Sequence, residues 1–392
     1  MKIIEYKIYT IKTSWRNLTY LMIKTDEDII GFGETHIVGK THTVREYLKD
    51  IKRYIIGHDV YNIEELYRKI TLLDFGTPGQ VAMTGLSLLE MACLDCIGKK
   101  AKLPVYKLFG GKVKNKILAY ANGWYKVERD KYNFEEATKK VIKKGYKALK
   151  FDPFGNGDLE IEKRELYKSI DLIEAVYSIA NKNNVDLYIE MHGRFSPHQA
   201  IQICKLIEKY NPGFIEEPCR PLDLNALKYV INHTSIPIAT GERLYNASYF
   251  RDLISNRLAN IIQPDLSQCG GFLETKKISS TAETYSMMVA PHNVGGIIAT
   301  TANLHLLATL RNGKVLEHFN DFTEEEIKYI GNPYPEVIDG YFKIPEGYGW
   351  GVNIDIEKLE EYERKNKNSI ITDNGLDMYE NPNWSLREQK SD

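Results

Sequence analysis

Over the first 35 residues apolar and polar positions alternate, broken by the polar turn Thr25-Asp26-Glu27-Asp28 and closing on Gly31-Phe32-Gly33-Glu34. A two-residue period places one set of side chains on each face of a strand, so this stretch predicts antiparallel strands. From about residue 44 to 99 the spacing becomes helical, with a break at Phe75-Gly76-Thr77-Pro78-Gly79. Leu103-Pro104-Val105 and Phe109-Gly110-Gly111 then supply turn chemistry. After Lys116 the rhythm changes again. Short apolar runs at 117–121, 146–151, 185–189, 213–215, 236–240, 260–263, 287–290 and 314–316 alternate with amphipathic stretches such as 134–144 and 197–210. Strand and helix in alternation predict a parallel sheet, and about eight such strands predict a closed barrel. The tail beyond Phe322, rich in Tyr, Glu, Asn and Pro, lacks this rhythm and is expected to pack back on the N-terminal segment. The expected division is 1–115, 116–322 and 323–392.

The chain has 392 residues, 43% of them hydrophobic, enough for about two or three domains or one large α/β barrel with an addition. A formal net charge of -1 argues against nucleic acid or an anionic membrane as the main partner. No uninterrupted apolar run reaches the length of a bilayer span, so no membrane segment is expected. The start, Met1-Lys2-Ile3-Ile4-Glu5, is charged and strand-like rather than a signal sequence. Five scattered cysteines, Cys93, Cys96, Cys204, Cys219 and Cys269, point to reduced thiols and a cytoplasmic protein. Cys93-Leu94-Asp95-Cys96 has no second pair beside it and is expected to be core packing. The glycines of Gly31-Phe32-Gly33 lack the third glycine of a dinucleotide fingerprint, where His36 stands.

Active sites of parallel barrels lie at the C-terminal ends of the strands. Those positions carry Glu190, Glu216 and Glu242 on three consecutive runs. Neighbouring strand ends bring such acids together, and their repulsion in a partly dry site is relieved by a hard divalent cation such as Mg²⁺. Other strand ends offer Lys150 and Asp152, His192, Asp265, His292 and Glu317. Alternation along a strand predicts that Glu190 and His192 face the same way. Asp265, on the strand beside that of His292, can orient the imidazole and raise its basicity. Glu217 is expected to point away from Glu216, into an ion pair or packing. Arg194 and Arg243 are expected either at the substrate or on the ligand carboxylates.

The motifs Tyr120-Ala121-Asn122-Gly123-Trp124-Tyr125, Lys147-Ala148-Leu149-Lys150-Phe151-Asp152-Pro153-Phe154-Gly155, Glu190-Met191-His192-Gly193-Arg194-Phe195, Asn211-Pro212-Gly213-Phe214-Ile215-Glu216-Glu217-Pro218, Gly241-Glu242-Arg243-Leu244 and Gln263-Pro264-Asp265-Leu266 resemble the enolase superfamily. The resemblance covers nearly the whole chain, includes Tyr106-Lys107-Leu108-Phe109-Gly110-Gly111, and lies in the mandelate-racemase-like branch, nearest the archaeal gluconate/galactonate dehydratases. It implies an α/β fold, a modified (β/α)7β barrel capped by an α+β layer from the N-terminal segment and the C-terminal tail. It implies one Mg²⁺ on Glu190, Glu216 and Glu242, a general base His292 supported by Asp265, and a general acid His192. Lys150 and Glu317 would face the substrate carboxylate, with Arg194, Asn122, Trp124 and Asp152 as further substrate contacts. One departure stands on the second barrel strand: the racemases carry Lys-x-Lys, and this chain has Lys150-Phe151-Asp152.

The implied reaction is dehydration of an aldonic acid, D-gluconate or D-galactonate, to the 2-keto-3-deoxy acid. The alternatives are dehydration of a pentonate such as xylonate or arabinonate, and epimerisation or racemisation on the same fold. A catalytically silent barrel is a third possibility, one that would not need the full set of acids and histidines. Loops near Trp15 to Thr19 and Phe75 to Gly79 are expected to close over the polyol tail and exclude water. A homo-oligomer is expected on general grounds.

Overall fold

The computed structural model describes residues 1–13, 16–322 and 326–372; Trp15 lies outside them. The predicted N-terminal strands are β1 (Ile3–Lys12), β2 (Asn17–Thr25) and β3 (Ile30–His36), an antiparallel sheet in the order β1-β2-β3. Four helices follow: α1 (Thr41–Asp50), α2 (Lys52–Ile55), α3 (Ile63–Leu73) and α4 (Gln80–Ala101). By length and composition α4 could cross a membrane, yet 89% of its apolar window is buried within the protein. It is a core helix, and β3 lies directly on it. A Cβ at Gly31 or Gly33 would overlap the carbonyl oxygens of Ala92 and Leu88. Those two glycines therefore serve close strand–helix approach.

The barrel is formed by β4 (Lys116–Ala121), β5 (Ala148–Phe151), β6 (Asp186–Glu190), β7 (Phe214–Glu216), β8 (Ile238–Thr240), β9 (Ile261–Ile262), β10 (Met288–Val289) and β11 (Leu316–His318). Between them run α5 (Lys131–Lys143), α6 (Lys163–Lys182), α7 (Pro197–Ile207), α8 (Leu224–Ile231), α9 (Ala247–Ser255), α10 (Gly271–Thr284) and α11 (Ile297–Ala308). All eight strands are parallel, with β11 returning to pair β4, and seven helices connect them. This is the (β/α)7β arrangement. The last strand begins later than its apolar run. Val289 exchanges hydrogen bonds with Asn312 and Lys314, at 2.8 and 2.7 Å, before residues 316–318 shift across to β4.

Side-chain alternation inside the barrel determines where the chemistry stands. Tyr120, Ala148, Tyr188, Phe214, Ala239, Ile261, Ala290 and Val315 form one closed interior layer, one residue from each strand or its immediate flank. Tyr188 stacks on Phe214 with ring centroids 4.0 Å apart, and Tyr120 meets Tyr188 edge-on at 5.5 Å. Two residues further along each strand, on the same inward face, come Asn122, Lys150, Glu190, Glu216, Gly241, Gln263, His292 and Glu317. The apolar layer is thus the floor beneath a polar one, as the period of 2 requires.

The C-terminal region contacts both layers. Tyr341–Lys343 pairs antiparallel with the start of β4. Trp350 is buried between Phe32 and Met91, whose carbonyls accept its indole N–H. The helix α12 (Ile356–Thr372) packs on β1, where Tyr9 donates to Glu360 and Arg45 pairs with Glu363. All five cysteines are buried and free.

Candidate active site

Glu190 and Glu216 end β6 and β7 in register with each other. Glu242 follows β8 by two residues, because Gly241 (φ 138°) occupies the inward position that an acid holds on the two previous strands. One oxygen from each of Glu190, Glu216 and Glu242 lies within 4.8 Å of the others. An all-oxygen set at this spacing fits a hard divalent cation. Lys150 Nζ sits at the base of the cluster, 2.8 Å from Glu190 Oε2, 2.6 Å from Glu216 Oε1 and 3.2 Å from Glu317 Oε1. Gln263 Nε2 donates to the other Glu216 oxygen at 2.7 Å. Burial and then repulsion from Glu190 push the Glu216 carboxyl up, while His192 and Lys150 draw Glu190 down against its own burial. Burial opposes the Lys150 charge too, but Glu190, Glu216 and Glu317 outweigh it and hold the ammonium firmly protonated.

His292 follows β10. Its Nδ1 lies 2.7 Å from Asp265 Oδ2, leaving Nε2 turned to the cluster, 3.6 Å from Glu242 and 3.9 Å from Glu317. Asp265 is itself held: Ser267 donates its backbone N–H and its hydroxyl to Oδ1, at 2.9 and 2.7 Å, and Gln268 donates to Oδ2 at 3.2 Å. Burial works against a charged His292, but Glu242, Asp265 and Glu317 together raise it to about 10. Glu317 accepts from Asn122 at 2.6 Å and from the backbone N–H of Asn293 at 3.0 Å.

His192 enters from β6, four strands round the ring from β10 and so on the opposite side of the cluster. Its imidazole Nδ1 lies 2.6 Å from Asp152 Oδ2. The strand alternation expected to align it with Glu190 does not extend to it. The strand ends at Glu190, His192 has left-handed backbone (φ 50°), and its own N–H bonds Glu190 Oε1 at 2.7 Å. Asp152 is completed by Arg194, whose Nη2 reaches both carboxylate oxygens at 2.7 and 2.6 Å. Arg194 Nη1 donates to the carbonyls of Gly155 and Gly157.

The residues expected at the substrate also bond one another. Arg194 and Asp152 are each 2% exposed and bond one another, and Asp152 bonds His192, which fixes the orientation of the imidazole. Trp124 packs on Phe151 and on Phe134 of α5, outside the ring of strands, and gives its indole N–H to the Lys150 carbonyl at 2.9 Å. Asn122 reaches the site through Glu317. Glu217 turns away from its neighbour, also with left-handed backbone (φ 44°), into an ion pair with Arg243 Nη2 at 2.7 Å. Arg243 bonds Glu242 and the His192 carbonyl as well, fastening the β6 and β8 loops together.

Gln268 and Ser267 were absent from the sequence reading, and His36 entered it only as the residue in place of a third glycine. His36, at the end of β3, lies 3.5 Å from Asp265, and its ring centroid is 5.6 Å from that of His292. His36, Asp265 and His292 also present donor atoms within 4.8 Å of one another, but His292 Nδ1 already shares its hydrogen bond with Asp265. The signal available was Glu34 and His36 on one face of a strand, which alternation alone cannot connect to a residue more than two hundred positions away.

Residues 6–110 match the model of the mandelate racemase/muconate lactonizing enzyme N-terminal domain, and residues 133–359 match the enolase C-terminal domain-like model. The chain is 36% identical over 354 residues to a D-gluconate/D-galactonate dehydratase of Picrophilus torridus, covering 89% of this chain and 90% of that one. It is 32% identical over 351 residues to a D-gluconate dehydratase of Thermoproteus tenax, covering 89% and 70%. The crystal structure of a mandelate racemase/muconate lactonizing enzyme from a Jannaschia species superposes with a TM-score of 0.85 at 30% identity, over 92% of this chain and 97% of that one. Barrel, capping layer and matched sequence together identify the chain as a member of the enolase superfamily, in its mandelate racemase/muconate lactonizing enzyme branch.

Proposed function

We propose that the protein is a Mg²⁺-dependent hydro-lyase that converts an aldonic acid, D-gluconate or D-galactonate, to the 2-keto-3-deoxy acid. The observation that carries this is a pair of histidines, each backed by its own aspartate, on opposite sides of a three-carboxylate cluster. Relatives named as gluconate and galactonate dehydratases, at 31–36% identity, support it.

Glu190, Glu216 and Glu242 would hold the cation. When bound, Mg²⁺ supplies stabilisation for the negative charge that α-proton removal places beside a carboxylate, the logic established for enolase-superfamily sites. His292 takes the C2 proton at Nε2, with Asp265 holding Nδ1 and stabilising the imidazolium that results. A cation held by Glu242 would offset part of the negative charge that raises His292, which favours the neutral imidazole a base requires. His192, held at Nδ1 by Asp152, gives a proton to the departing C3 hydroxyl. Lys150 and Glu317 set the charge and hydrogen bonding around the substrate carboxylate. Asp152 stands where a racemase of this branch has its second lysine, and its engagement with Arg194 and His192 disfavours the epimerase reading.

A panel of aldonic acids incubated with Mg²⁺ and assayed for 2-keto-3-deoxy products tests the proposal. A 2-keto-3-deoxy product from a hexonate is expected. C2 deuterium exchange or inversion without loss of water would assign the protein to epimerisation instead, and turnover of a pentonate in preference to both hexonates would change the substrate.

A further inference from the structure

The members of the His292–Asp265 pair sit in loops after β9 and β10, and both loops are fastened to the capping layer by its buried polar side chains. Thr35 Oγ1 donates to the Ser267 carbonyl at 2.9 Å, and Ser267 holds Asp265 Oδ1. Gln268 Nε2 lies 3.0 Å from His36 Nε2 and donates to Asp265 Oδ2. The Gln268 amide is oriented in turn by Gln80, at the start of α4, whose Nε2 donates to its Oε1 at 2.8 Å. On the other loop, Glu34 accepts the backbone N–H groups of Gly296, Ile298 (2.7 Å) and Ala299 (3.1 Å) at the first turn of α11, four to seven residues beyond His292. That helix begins at Gly296, which has no side chain with which to cap it. Within β3, Glu34 grips one loop of the pair while Thr35 and His36 grip the other.

We propose that the end of β3, with His36 as its central member and Thr35, Glu34 and Gln80 beside it, is a positioning clamp by which the capping layer holds the His292–Asp265 pair in its working geometry. The clamp rests on the base role proposed above for His292. The side chains that bond Asp265 beside His292, those of Ser267 and Gln268, are themselves held by Thr35 and His36 of the capping layer, so its direction toward His292 is a property of the seam between the layers and not of the barrel alone. A carboxylate held from several sides leaves the imidazole one orientation, and small displacements of a reacting group are costly in rate. His36 is buried, and burial pushes it down to about 4, so it is neutral at pH 7 and a leucine there changes no charge.

The test uses the full chain with nitrogen-15 histidine. The proton that His292 Nδ1 shares with Asp265 gives a low-field resonance, assigned by its loss in His292→Asn. In His36→Leu that resonance is expected to shift or broaden while the unfolding temperature stays near wild type. With Mg²⁺ and the aldonic acid, kcat is expected to fall about tenfold, with KM within about twofold. His36→Gln, which returns a hydrogen-bonding group toward Gln268, is expected to restore both. If His36→Leu does not fold, Thr35→Val, which lacks only the hydroxyl that reaches Ser267, takes the same readouts. A folded variant with unchanged resonance and kcat overturns the clamp. So does a loss of rate that follows only the loss of folded protein, with the resonance unmoved. If the wild type dehydrates no aldonic acid, the functional reading fails, and the resonance still decides the clamp.

Discussion

Glu216 is fully buried and contacts Lys150 through one oxygen and Gln263 through the other. Glutamine in its place keeps the volume but removes the charge that a cation needs, while Lys150 retains Glu190 and Glu317. Glu216→Gln is therefore expected to fold, to lose measurable Mg²⁺ binding by calorimetry and to lose dehydration; Mg²⁺ uptake like that of the wild type would remove Glu216 from the ligand set. The two histidines separate by task. His292→Asn should abolish both dehydration and exchange of the C2 proton, since its Nε2 is the proposed base and is aimed into the cluster from that side. His192→Asn should cripple loss of the C3 hydroxyl yet leave C2 exchange measurable, each deletion costing about 10²–10⁴-fold in its own step. Near wild-type exchange in His292→Asn, followed by mass spectrometry in D₂O, would move the base to Lys150 or His192 and reverse the assigned roles.

At the scale of elements, the interface between β3 and α4 is set by glycine. A methyl at Gly33 meets backbone at Leu88, which cannot move aside as a side chain could. Gly33→Ala is expected to cost about 1–3 kcal/mol, read from urea denaturation; an unchanged midpoint would show that the strand can lift without loss. The helix α10 starts at Gly270 and takes its cap from a distant element. Glu90 of α4 accepts the backbone N–H groups of Phe272 and Leu273, at 2.9 Å each. Burial, partly offset by those two donors and by Lys277, raises its carboxyl from 4.5 to about 8, with Glu64 adding to the rise. A folded value above the unfolded one means that the protonated acid favours the fold. Its stabilisation is complete below about 4.5 and is lost as pH rises through about 8. The denaturation midpoint of the wild type should thus fall between about pH 4.5 and pH 8 more steeply than that of Glu90→Gln, and identical slopes would show that Glu90 does not titrate with folding.

For the whole molecule, a ligand that binds only the folded chain stabilises it by mass action. At a hundredfold excess over its dissociation constant, Mg²⁺ should add about 2.7 kcal/mol, visible as a rise in unfolding temperature that chelation reverses and Glu216→Gln abolishes. A chelated protein with full activity would refute the metal-dependent mechanism. The sequence by itself determined the barrel, the N-terminal antiparallel strands and the positions of Glu190, Glu216, Glu242, Asp265 and His292. Each of these follows from local periodicity: a βα repeat makes consecutive strands neighbours, and a period of 2 sends the residue two beyond an inward apolar one to the same face. Glu242 is the exception: it was legible from its place at the end of an apolar run, while the period of 2 points to Gly241 instead. Tertiary structure alone decided that Lys150 sits beneath three carboxylates, that Arg194 and Asp152 orient His192, and that His36 reaches Asp265. These contacts join residues separated by 40 to more than 200 positions, and their direction depends on where strands end and on left-handed turns such as that at His192. Periodicity reports which face a residue occupies; it carries no information about which distant face is packed against it.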